Sequence, residues 1–187
     1  MKAKLFPLAG VVCLLLLCWL PGTFQTLEAR PARDHLTPQE ADLVREAQEL
    51  DKRTEVFIKA AERRLLALSD PNAAQKEKEK WGELKGTRAD FLYDLSRILD
   101  EAITNIDDVS SRDESNPLIP KSIRKLAEAS TRILTQLEPL RGKLESDKEL
   151  HSLDQAIENA QDIVEAAGKL PPPPSKTEKK KKESSQD

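Results

Sequence analysis

Cysteine is scarce in this chain and poorly placed for chemistry. There are two, Cys13 and Cys18, and both lie in an apolar run near the start. If that run is removed on export, the rest has no thiol, which excludes disulfides, zinc–thiolate sites and cysteine nucleophiles there. Histidine is equally thin: His35 and His151 stand apart in the sequence. Neither completes the Glu-x-x-His motif of a di-iron bundle, and two isolated histidines carry no Ser/His/Asp arrangement. Met1 is the sole methionine, and no Cys-x-x-Cys-His is present, so neither haem type is provided for. Strand-like alternation is missing throughout, so no glycine-rich phosphate loop follows a strand. Asp107 to Glu114 lacks the glycine and ligand spacing of an EF-hand loop. These gaps predict a non-enzymatic protein with no catalytic residue, no bound metal and no cofactor.

The chain opens with Lys2 and Lys4, followed by an apolar run from Leu5 to Leu20 that Pro7 interrupts. Leu27-Glu28-Ala29 then offers a small residue at a cleavage position. A basic start, an apolar stretch and a small-residue site read as a secretory signal peptide over residues 1–29. The run falls short of the ~20 apolar residues of a spanning helix. The expected location is periplasmic or extracellular, with an uncleaved N-terminal membrane anchor as the alternative. Residues 30–36 read as a flexible lead into the body.

Charge is unevenly divided. Residues 30–170 carry 23 Lys/Arg against 29 Asp/Glu, whereas residues 171–187 carry five lysines against three acids. An acidic body with a basic tail points to an interaction element at the terminus.

Four amphipathic stretches fill the body. Thr37-Pro38-Gln39-Glu40 is a capping box with proline at the first helical position. Leu43, Ala47, Leu50, Thr54, Phe57, Ala61, Leu65 and Leu68 then recur at steps of three and four, predicting one helix over about 38–68. A second is expected over about 72–110. Its clear stripe is Leu92, Leu95, Leu99, Ala102, Ile106 and Val109, and Gly82 and Gly86 mark a bend or frayed joint before it. A third runs over about 120–145, with a kink or early end at Pro139. The fourth, over about 147–168, starts at the box Ser146-Asp147-Lys148-Glu149 and ends at Gly168. The loops between them are short. The fold class is therefore all-α: an antiparallel up-down-up-down four-helix bundle over 37–170 with coiled-coil-like heptads, and a disordered tail after it. The same heptads suit a three-helix or dimeric arrangement, so the oligomeric state is open.

Acidic residues crowd the second helix. Asp94, Glu101 and Asp108 lie opposite its stripe, and Asp100 and Asp107 flank it, so all five read as a solvated face. In the other stripes the polar positions are Thr54 and Ser130.

The tail, 171–187, is expected to stay extended and unfolded because of its four prolines and its charge. Lys176, Lys179, Lys180, Lys181 and Lys182 are the candidate contacts for a polyanion, and Trp81 is the candidate anchor for a partner. The expected function is binding of a protein or of an anionic envelope component, with at most peripheral membrane contact and no nucleic acid. A holdase-like envelope chaperone is the alternative, and a metal carrier or enzyme stands behind both.

Overall fold

The computed structural model describes residues 34–144 and 146–172, and every regular element among them is helical. In chain order these are α1 (Pro38–Glu46), α2 (Leu50–Ser69), α3 (Pro71–Ala74), α4 (Lys78–Trp81), α5 (Arg88–Arg112), α6 (Leu118–Leu137) and α7 (Asp147–Gly168), with a 3-10 turn at Glu138–Lys143 between the last two. None of these helices is long and apolar enough to cross a membrane. The signal-peptide segment and all five tail lysines lie outside the described residues.

Local chemistry sets several boundaries where the sequence places them. The Thr37 hydroxyl accepts from the Glu40 N–H while the Glu40 carboxylate accepts from the Thr37 N–H, so the expected capping box forms and starts α1. Ser146 accepts from the Glu149 N–H at the start of α7. Pro139 lacks a donor for a continuing α-helix, and α6 ends two residues before it, at Leu137, in a 3-10 turn.

Two of the expected helices are broken. The first, read over 38–68, is interrupted at Ala47–Glu49, because α1 folds back along α2 to deliver Glu40 to Arg63 and Arg64. The second, read over 72–110, divides into α3, α4 and α5. Gly82 follows α4 with φ +77, and a second capping box, between Thr87 and Asp90, starts α5 only at Arg88.

The four long helices form one apolar core. α2 packs on α5 and α6, and α7 packs on the same two. Leu92, Leu95, Ile98 and Leu99 of α5 meet Phe57 of α2, Leu126 and Ile133 of α6 and Leu153 and Ile163 of α7, all at most 1% exposed. Ion pairs report the helix directions. Lys121 and Lys125 of α6 bond Asp51 and Glu55 of α2, and Arg132 bonds Glu62, each pair 70 residues apart. A constant offset means that α2 and α6 run parallel. α5 and α7 are parallel as well, since Lys148 reaches Asp90 at 3.1 Å and Asn159 reaches the Ser96 carbonyl at 2.8 Å. α2 and α5 are antiparallel: Arg53 meets Asn105, and Arg64 meets Asp94. The consecutive long helices α2 and α5 are thus antiparallel, whereas the packed pairs α2/α6 and α5/α7 are parallel. Short loops alternate direction along the chain, but they do not dictate which helix lies beside which.

Asp90 ties two of these elements together. Its carboxyl is held down at about 2, chiefly by the Thr87 N–H, with the Thr87 hydroxyl and Lys148 adding to the effect against partial burial. A depressed folded value contributes stability above the ordinary carboxylate value near 3.8, and that contribution is lost as pH falls toward 2. Asp90→Asn should therefore flatten part of the fall in urea midpoint between pH 4 and pH 2, and an unchanged profile would rule out this origin for it.

Candidate functional site: a buried charge latch under α1

The helix-start carboxylate Glu40 is wholly buried, and so are the tandem arginines Arg63 and Arg64, at 3% and 1% exposed. The sequence assigns Glu40 only a place in the capping box, and its stripe along α2 holds no charged residue. The structure brings the three together. Arg64 Nη1 donates to Glu40 Oε1 at 2.6 Å, and Arg63 Nη1 donates to the same oxygen. Arg63 also donates to the carbonyls of Trp81 at 2.9 Å and Gly82 at 2.7 Å. Arg64 reaches the His35 carbonyl at 2.6 Å, and its Nε lies 3.8 Å from Asp94. Two buried cations therefore meet two buried carboxylates, and main-chain carbonyls occupy much of the remaining donor capacity. That compensation is what makes burial of such charges tolerable. Burial pushes the Arg63 guanidinium below its ordinary value, with Glu40 opposing the shift. Arginine stays charged even so.

Asp94 corrects the reading of the second helix. It was placed on the solvated face, yet it is 1% exposed. Phe91 and Ile98, three residues before it and four after, were the available signal: both are apolar and both are buried on Asp94's side of the helix. α5 buries two flanks, one toward α2 and one toward α7, where a single stripe was expected. Glu101 stays on the rim of the first flank and takes His35 Nε2 at 2.5 Å. Asp51 is a third buried carboxylate, 2% exposed, and a bond from Lys121 at 2.5 Å is the main cause holding its carboxyl below the usual range. Arg64 was legible too, since it continues the seven-residue series Leu50, Phe57, Arg64 along the buried face.

The connection α4–α5 completes the latch. The Thr37 hydroxyl donates to the Trp81 carbonyl at 2.6 Å while it caps α1. Gly82 lies so close beneath that a Cβ there would approach Thr37 Oγ1 to 2.6 Å and Gln39 Oε1 to 2.5 Å, on a backbone φ that favours glycine. Trp81, expected as a partner anchor, is 8% exposed, with the Arg63 and Lys80 cations over its ring at 6.0 and 5.7 Å. It is part of the latch. His151 is exposed and lines a groove of about 310 Å³ between α5 and α7 beside Tyr93, Arg97 and Asp100.

Among the described residues no group of three or more His, Cys, Asp or Glu side chains could hold a metal ion. The latch residues are sealed from solvent and bonded to one another, so they hold α1, α2, α4 and α5 in register and present no open position to a ligand. No family model matches the chain, and no curated protein or solved structure is similar to it.

Removing one partner of a buried ion cluster leaves the others uncompensated. Glu40→Ala should cost about 3–5 kcal/mol in urea unfolding. The double variant Glu40→Ala/Arg64→Met should lose less than the two single losses combined, because it removes a stranded cation as well. Additive losses would mean that Glu40 and Arg64 do not interact.

The two helix caps should differ in weight. Thr37→Ala deletes a cap and a buried bond to Trp81, about 2 kcal/mol together, whereas Ser146→Ala deletes an exposed cap worth about 1 kcal/mol. Equal shifts in the urea midpoint would contradict the Thr37–Trp81 contact.

Proposed function

We propose that this chain is an exported, non-enzymatic helical module that binds a protein or an anionic component of the cell envelope. The observation that carries the reading is where the charged groups are spent. The interior ones, Glu40, Arg63, Arg64 and Asp94, close on one another and on main-chain carbonyls at no more than 3% exposure. Chemistry on a substrate needs its charged groups at an open cleft, so the enclosure of these favours a scaffold over a catalyst. In this reading the four long helices make a four-helix bundle with coiled-coil-like heptads, and the bundle serves as a carrier for its terminal charge. The basic tail supplies the contact: Lys176 and the run Lys179 to Lys182 gain affinity for polyanions by counterion release, without reading a sequence.

The tail should be separable from the fold. In the full chain, replacing Lys179, Lys180, Lys181 and Lys182 with glutamine should leave the melting temperature unchanged. The same change should sharply reduce co-sedimentation with vesicles containing anionic lipid. Binding by the unaltered chain should weaken as salt rises through 0.1 M, where exposed charges are screened beyond ~10 Å. Equal binding by the substituted chain would remove the tail from the function.

A further inference from the structure

The break between α1 and α2 has no local cause. Ala47, Gln48 and Glu49 contain neither glycine nor proline, and all three residue types are good helix formers. α2 begins at Leu50 behind Glu49, which makes no side-chain cap bond, whereas α1, α5 and α7 begin behind Thr37, Thr87 and Ser146, which do. The apolar stripe also keeps its helical register across the break, through Leu43, Ala47, Leu50 and Thr54. A folded-back strap has no need of that register; a continuous helix does. What bends the chain is tertiary. Glu40 is drawn to Arg63 and Arg64, and Thr37 to Trp81. Two short-range bonds then brace the bend: Arg53 donates to the Ala47 carbonyl at 3.0 Å and Gln48 to the Arg45 carbonyl at 2.9 Å. In one straight helix, Glu40 would stand about 35 Å from Arg63 along the axis.

We propose that residues 34–46 form an exchangeable strap, and that the partner for the latch is the strap of a second copy of this chain. On opening, α1 and α2 straighten into a single helix over 38–69. The strap then reaches across to the second copy, whose own strap docks in return. Every contact of the latch is remade between copies: Glu40 on the other chain's Arg63 and Arg64, Thr37 on its Trp81 and Gly82, and Leu36 in its core. The exchanged dimer therefore differs from two monomers only in two hinges that become helical and in the entropy of association, which is the usual economy of domain swapping. The reciprocal contact is isologous, so it closes at two copies and does not propagate into a filament. Opening breaks a buried ion cluster, which makes exchange slow at room temperature and fast near the melting midpoint.

The test uses the full chain, annealed just below its melting midpoint at several concentrations, cooled, and sized by chromatography with light scattering. A dimer should appear whose share rises with annealing concentration and persists on dilution in the cold. Ala47→Gly/Glu49→Gly keeps both bonds that brace the bend and places four glycines in the two straightened hinges, so it should lower the dimerisation constant roughly a hundredfold or more. Arg53→Ala removes a bond that holds the bend and should raise it. Mixing also distinguishes exchange from surface association. A Glu40→Ala chain annealed with an Arg63→Gln/Arg64→Gln chain regains one intact latch only by exchange, and should give more heterodimer than either chain gives homodimer. A chain that stays monomeric at every annealing concentration overturns the proposal. So does a dimer indifferent to the glycine hinge. If the latch variants fail to fold, the hinge variants decide the matter alone.

Discussion

A single carboxylate, Glu40, neutralises two adjacent guanidiniums inside the protein, and the placing of α1, of the α4–α5 connection and of the upper half of α2 follows from that constraint. Arg63 and Arg64 cannot be left in an apolar interior without partners, since an unpaired buried charge costs more than most other defects. Their nearest anions are Glu40 and Asp94, and three of their other N–H donors take the carbonyls of His35, Trp81 and Gly82. Those three carbonyls lie in segments with no helical partner for them. The arginines thus satisfy the backbone of two irregular stretches while the stretches satisfy the arginines.

The latch works in concert with its apolar surroundings. Leu36 enters the main core beside the helix cap, and Ala41 and Val44 of α1 pack against that core. A smaller apolar cluster of Ala67, Ala74, Leu84 and Phe91 seats the α3–α5 connection next to it. Burial supplies most of the favourable free energy at about 25 cal/mol per Å² of apolar surface, but it is non-directional. Direction comes from the fork geometry of the guanidiniums. The row of ion pairs joining α2 to α6 plays a lesser part. Lys121, Lys125 and Arg132 are partly exposed, and such pairs are worth up to about 1 kcal/mol each, enough to favour a register and too little to make one.

Helix existence, two of the caps and the stop at Pro139 were legible in the sequence because each depends on residues within one turn. The Thr37/Glu40 box, the Ser146 cap and the stripes of α6 and α7 needed nothing from elsewhere in the chain. Asp94 was misplaced because a single stripe was fitted to a helix that buries two flanks, although Phe91 and Ile98 announced the second. The Thr87/Asp90 box was present too, with aspartate where glutamate is usual. The Ala47–Glu49 break could not be found locally, because its residues favour the helix they interrupt.

By itself the sequence determined an all-helical body with an acidic surface, since periodicity, capping and charge are local properties that hold wherever the helices lie. Tertiary structure alone decided which helices lie side by side, that Trp81 is enclosed, and that Glu40 is buried against Arg63 and Arg64. Those outcomes hinge on groups 18 to 70 residues apart meeting in a medium of low dielectric. No window along the chain contains both partners.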